Sequence, residues 1–236
     1  MGGDGAFLLG ARAVDHFVLA LPHAMTLEEG VSWFEDLTGV RAAIGGRHVG
    51  RGTHNAVASL GSQAYIELLA LDPEQPDGAT WMGMETCPVR PRIVAWAARA
   101  VPGLVDSAGE LDAMVQQARA SGYEPGVVKK FARATPAGDE LRWRLAFNHW
   151  RQPLPGGGVV PFLIAWDDGA PPPMETAPQG LSLRAFSATH PSPAAEVLPA
   201  LQALGCDTFR VEADESVDAP CLELLLDTPK GPITLS

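Results

Sequence analysis

The chain has 236 residues, a formal net charge of −11 and 46% hydrophobic residues. A polypeptide of this length buries a core without disulfide or metal staples, and its acidity sets a repulsive field against nucleic acid and anionic membrane, whose binding draws on Lys and Arg. Its 25 glycines and 21 prolines point to many tight connections between short elements rather than to long helices.

Cys87, Cys206 and Cys221 are odd in number and lack CxxC spacing, which fits a reducing cytoplasm better than secretion. The opening segment MGGDGAFLLGARAV has no basic n-region, and no apolar run approaches the ~18 residues that span a bilayer. The expectation is a cytoplasmic protein with no membrane partner.

Residues 14–21 (VDHFVLAL), stopped by Pro22, read as a buried strand. Thr26, with Glu28 and Glu29 behind it, reads as an N-cap and acidic first turn, and Val31, Phe34 and Leu37 carry helical spacing to Gly39. Strands come next at 40–44, 53–60 and 64–71, separated by Gly45-Gly46, 50–52 and Gly61-Ser62. The unit is βαβββ.

Residues 72–91, rich in Pro and Gly, read as a linker or alternatively a functional rim. A second βαβββ unit comprises a strand at 92–98, an amphipathic helix at 110–121 stopped by Gly122, and strands at 126–133, 141–147 and 159–166. After a second linker at 167–180 come a strand at 181–189, a helix around 194–204 and a strand at 221–226, a partial third βαββ module. The domains are therefore 13–72, 91–168 and 181–236, in an α+β fold. YIELLALDP (65–73) and CLELLLDTP (221–229) share a Glu-Leu-Leu core that suggests an internal repeat.

Glu67 stands mid-strand among Tyr65, Ile66, Leu68 and Leu69. An unpaired carboxylate there costs several kcal/mol. A metal ion, a protonated His or protonation of the acid itself would satisfy it; otherwise its face meets water. Strand alternation groups His16 with Val18 and Ala20, opposite Asp15, Phe17 and Leu19. It groups His54 with Ala56, Ala58 and Leu60, a face small enough for a ligand to approach. If the three strands share a sheet, His16, His54 and Glu67 make a two-His, one-carboxylate set suited to Zn, Mn, Fe or Ni, with Glu67 and His54 as candidate catalytic groups. Asn55 points the other way and joins Arg47, His48 and Arg51 of the glycine-rich segment GGRHVGRGTHN as a candidate substrate contact. His149, beside Trp150 and Arg151, is a further candidate from the second unit. GGRHVGRGTHN matches neither the P-loop nor the dinucleotide fingerprint, and no GxSxG, HExxH or SxxK set occurs, which disfavours covalent nucleophilic hydrolysis.

VDHFVLAL, GGRHVGRGTHNAVASLG with AYIELLALDP after it, and VVPFLIAWD together resemble the glyoxalase-like proteins of the vicinal-oxygen-chelate superfamily. The resemblance implies paired βαβββ modules curving a mixed sheet around a cup. It also implies a divalent metal in the cup, held by a first-strand His and a fourth-strand Glu, positions that match His16 and Glu67. The second module departs from the pattern: RIVAWAARA and VVPFLIAWD carry no mid-strand His or Glu. Two functions are compatible with this. One is a metal-dependent lyase or isomerase acting on a small oxygenated metabolite. The other is a metal-free small-molecule binding or resistance protein, with Trp81, Trp96, Trp143 and Trp150 lining an aromatic pocket; a scaffold with a filled cup is a third possibility. Superfamily sheets commonly associate edge to edge, so a homodimer is compatible with this reading.

Overall fold

The computed structural model describes residues 7–61, 63–78, 81–82, 84, 89–101, 107–134, 138, 140–148, 154–167, 169 and 171–236. Cys87, His149, Trp150 and Arg151 lie outside the described residues. The first unit runs β1 (Arg12–Ala20), α1 (Leu27–Thr38), β2 (Ala43–His48), β3 (Thr53–Ser59) and β4 (Tyr65–Leu71). The second runs β5 (Arg92–Ala100), α2 (Ser107–Ala120), β6 (Val127–Ala134), β7 (Glu140–Phe147) and β8 (Phe162–Trp166). Thr26 caps α1 as its sequence suggests: its hydroxyl accepts from the Glu29 amide while the Glu29 carboxylate accepts from the Thr26 amide.

Both units repeat one topology. β1 pairs parallel with β4 and β5 parallel with β8, and β1 pairs antiparallel with β5, giving one sheet in the order β2-β3-β4-β1-β5-β8-β7-β6. The sheet curls into a half-barrel, so its two edge strands, β2 and β6, approach each other across the open side. Its convex face is covered by α1 on β3 and β4 and by α2 on β5, β7 and β8. Gly30 lets α1 sit close to the sheet, since a Cβ there would lie 2.2 Å from Leu21 Cδ1. The concave face holds a second apolar cluster that includes Val18, Ala20, Leu69, Trp81, Trp143 and Phe162.

Neither proline-rich connection is a bare linker. Trp81, Met82 and Met84 of the first are buried, and Trp81 and Met82 face the concave cluster. The second contains α3 (Pro173–Thr176), whose Met174 packs on Val57 and Tyr65.

The tail forms β9 (Ser182–His190), α4 (Val197–Leu204), β10 (Val211–Ala213), β11 (Cys221–Thr228) and β12 (Gly231–Leu235), a separate sheet in the order β10-β9-β11-β12. Its strand pairing differs from that of the two units, because its first strand pairs antiparallel with β11 and parallel with β10. The Glu-Leu-Leu match consequently joins unlike places: Glu67 is 8% exposed on an interior strand, whereas Glu223 faces solvent. Phe186 and Phe209 of the tail stack on each other at 4.3 Å and meet Trp96 and Phe17 on the convex face. Trp96 is thus fully buried core, donating its Nε1–H to the Val159 carbonyl, and is not among the residues lining the cup.

Candidate active site in the cup

Two bulges build the site. In β1 the pairing with β5 steps from Val14–Ala98 to His16–Ala97, leaving Asp15 as the extra residue. Simple alternation, which puts Asp15 opposite His16, fails here. The Asp15 carboxylate, fully buried, accepts from His16 Nδ1 at 2.7 Å and from Trp166 Nε1 at 2.9 Å, with Arg99 Nε 3.5 Å away. A carboxylate on Nδ1 fixes the proton there and leaves the Nε2 lone pair of His16 facing Glu67 Oε2, 3.9 Å away. The imidazole is clamped between Tyr65, stacked at 4.7 Å, and Phe162, edge-on at 5.4 Å.

The second bulge lies in β2, between Ile44 and Gly46. The sequence reads Gly45-Gly46 as a turn, but the strand continues through both glycines to His48, and the turn falls at 49–52, where Gly50 and Gly52 adopt φ of +73° and +62°. His48 therefore lies on the strand itself. It pairs with Thr53 and points into the cup, with Nε2 3.5 Å from Glu67 Oε1. Thr53 Oγ1 stands 3.0 Å from His48 Nδ1 and accepts from Trp81 Nε1 at 2.9 Å.

Glu67 lies between these imidazoles. Asn55, on the same face of the neighbouring strand, donates Nδ2–H to Glu67 Oε1 at 2.6 Å, and Nδ2 is 3.3 Å from His48 Nε2. His54 is not part of this group. Its run of small partners, Ala56 and Ala58, is the convex face under α1 rather than a ligand face. It borders a different pocket with His23, Asp72 and the start of α1. Arg47, opposite His54 in the β2–β3 ladder, faces the same way and pairs with Asp72 and Glu74. Arg51 sits at the mouth of the cup, its guanidinium 5.5 Å from the Trp81 ring and 5.8 Å from Phe131.

The cavity is narrow, about 30 Å³. His16, His48, Asn55, Glu67, Tyr65 and Arg133 form its polar end, and Trp81, Trp143, Phe162 and Trp166 dominate the rest. Burial pushes the His48 imidazole below its ordinary range, with Arg133, His54 and His16 adding to the fall and Glu67 opposing it. Burial, with the charges of Asp15 and Glu67, holds the Tyr65 hydroxyl well above 10, as a neutral phenol. Trp166, Tyr65 and Arg133 carry no signal in the sequence that separates them from core or surface residues.

Among the described residues no group of three or more His, Cys, Asp or Glu side chains is placed to hold a metal ion as the side chains stand. The donor chemistry nevertheless suits a divalent ion. Two ligand atoms ~2.1 Å from a shared tetrahedral ion are about 3.4 Å apart, close to the 3.5 Å and 3.9 Å that separate Glu67 from the two imidazole nitrogens. Asp15 behind His16 is the kind of outer carboxylate that orients a ligating imidazole.

The family model described as the glyoxalase-like domain matches residues 14–205, most of the chain. The protein belongs to the glyoxalase-like domain family. Its half-barrel of paired modules is the fold of the vicinal-oxygen-chelate superfamily. No functionally curated protein matches this glyoxalase-like chain. Among solved structures, a hypothetical protein from Staphylococcus aureus is 14% identical with a TM-score of 0.52, covering 94% of this chain and 83% of its own. Methylmalonyl-CoA epimerase from Mycobacterium tuberculosis is 20% identical with a TM-score of 0.39, over 72% of this chain and 94% of its own. A Streptomyces coelicolor methylmalonyl-CoA epimerase in complex with 2-nitronate-propionyl-CoA is 15% identical with a TM-score of 0.37, over 67% and 97%. At these values the S. aureus likeness speaks for the fold, and the epimerase likenesses do not transfer an activity. Among the described residues no helix is long and apolar enough to cross a membrane.

Proposed function

We propose that this glyoxalase-like protein is a divalent-metal-dependent enzyme of the isomerase or lyase type, acting on a small oxygenated compound held in the cup. The observation that carries this reading is the convergence of His16 Nε2 and His48 Nε2 on the two oxygens of one buried carboxylate, Glu67. His16, His48 and Glu67 would hold the ion, with Asp15 orienting His16 and Asn55 orienting Glu67. The metal would supply Lewis-acid polarisation of neighbouring substrate oxygens. Around it, the neutral Tyr65 hydroxyl offers a hydrogen bond, the Arg133 guanidinium a positive charge, and the buried aromatic walls exclude water, which strengthens each electrostatic contact.

Metal analysis of protein purified without chelator tests the proposal. We expect one equivalent of divalent metal in the native chain, its loss in His16→Ala, His48→Ala and Glu67→Gln, and its retention in His54→Ala. A metal-free native protein that no added divalent ion stabilises would overturn it. The continuous wall of Trp81, Phe131, Trp143 and Trp166, with ring centroids about 6 Å apart, favours the second reading in that event: a binding protein using the same cup without chemistry.

A further inference from the structure

The two imidazoles that face Glu67 are held from behind by chemically different groups. Behind His16 stands Asp15, whose carboxylate only accepts, so the His16 proton is pinned on Nδ1 and a lone pair is left on Nε2. Behind His48 stands Thr53 Oγ1, 3.0 Å from Nδ1, and a hydroxyl both donates and accepts. Trp81 Nε1–H, which can only donate, already occupies one lone pair of this oxygen at 2.9 Å. Thr53 is fully buried, and among the described residues its hydroxyl hydrogen has one acceptor within reach, His48 Nδ1. A neutral imidazole carries one proton. Were it on Nδ1 of His48, Thr53 would accept twice and its buried hydrogen would go unmet, which costs more than a typical neutral hydrogen bond gains. The return would be one long hydrogen bond, from Asn55 Nδ2 to Nε2 at 3.3 Å, and a lone pair turned on the Glu67 carboxylate 3.5 Å away. With the proton on Nε2, Thr53 donates to Nδ1 and the ring N–H points at Glu67.

Resting on the proposed use of His16, His48 and Glu67 as an ion site, we infer that Thr53 is the positioning residue of His48 and that its hydroxyl is a two-way switch. With the hydroxyl hydrogen on Nδ1, His48 presents an N–H to the cup and has the opposite tautomer to His16. For Nε2 to ligate an ion, the ring gives up its Nε2 proton and takes one on Nδ1, with no net change of charge. Thr53 then turns to accept from Nδ1. Asp15 gives His16 no such choice. His16 is thus a standing ligand, whereas His48 changes between hydrogen-bond donor and ligand as the ion leaves or arrives.

The test is long-range ¹H–¹⁵N correlation on the full chain labelled with ¹⁵N-histidine, at about pH 8, above the ordinary imidazole range. The protein is first stripped with chelator and then titrated with Zn²⁺, and His16→Gln and His48→Gln assign the signals. In the stripped protein the proton should lie on Nδ1 of His16 and on Nε2 of His48. Zinc should move the His48 proton to Nδ1 and leave that of His16 where it is. Thr53→Val removes the hydroxyl at nearly constant volume. It should displace the His48 Nδ1 signal, leave the His16 signals unaltered and weaken zinc binding about tenfold or more, while Thr53→Ser restores both. If Thr53→Val fails to fold, the tautomers of the native chain carry the test. A His48 proton on Nδ1 in the stripped protein, or a folded Thr53→Val chain with native His48 signals, would each overturn the inference. A chain that binds no divalent ion yet shows the opposed tautomers keeps Thr53 as the positioning residue and removes the proposed metal-dependent function alone. A chain that binds zinc with both ring protons on Nδ1 from the start removes this inference alone.

Discussion

Asp15→Asn removes one charge and almost no volume, yet it must rewire the hydrogen bonds behind His16. Trp166 Nε1–H can only donate, so the introduced amide must turn its oxygen to Trp166 and its NH₂ to His16. His16 Nδ1 then has to accept rather than donate, which moves the imidazole proton to Nε2, the nitrogen facing Glu67. A lone pair offered to the cup becomes an N–H. Losing an outer carboxylate of this kind weakens metal binding by about 10- to 100-fold. The substitution also takes the counter-charge from Arg99, whose side chain is 13% exposed and otherwise held by the Gln63 carbonyl and Oε1. With the lost charged hydrogen bond, this comes to roughly 2–4 kcal/mol of stability, or about 5–15 °C in midpoint for a chain of this length. Chelator competition gives the affinity, ¹⁵N shifts of labelled histidine give the tautomer, and thermal denaturation gives the stability. An Asp15→Asn protein with native metal affinity and the proton still on Nδ1 of His16 would refute the reasoning.

The two histidines of the β2–β3 hairpin should separate cleanly: His48→Ala should weaken metal binding at least tenfold, while His54→Ala leaves it within a factor of two, read by the same competition assay. Burial lowers the pKa of both from 6.5, so the folded chain binds fewer protons than the unfolded one on acidification. Stability held above pH 6.5 should therefore fall below it, and urea midpoints between about pH 7 and 5 should flatten in the His48→Gln, His54→Gln double variant. Gly158 has φ of +97°, and a Cβ there would stand 1.9 Å from the Val94 carbonyl oxygen. Gly158→Ala should cost on the order of 3 kcal/mol and lower the thermal midpoint by about 6–12 °C; a native midpoint would mean that this turn is not closed as described.

Element type was legible wherever local chemistry decides it. The capping box at Thr26, the apolar runs of β1 and β4 and the glycine-bounded hairpins are written in neighbouring residues, and they led to the paired βαβββ architecture. The family resemblance implied a site shared by His16 and Glu67, and the two side chains stand 3.9 Å apart.

Which face of a strand looks into the cup was not legible. Alternation establishes only that neighbours point apart, and one extra residue reverses everything beyond it. The bulge at Asp15 turned a residue read on the face opposite His16 into its partner, and strand pairing through Gly45-Gly46 carried His48 inward. Small residues beside His54 marked the seat of a helix rather than room for a ligand. Reading residues along the chain was enough for the elements, the half-barrel family and the buried acid that needs neutralising. That His48 and Asn55 rather than His54 meet this acid, and that Arg133 joins them, emerges only in three dimensions, because register, bulges and sheet curl depend on contacts between residues far apart in the chain.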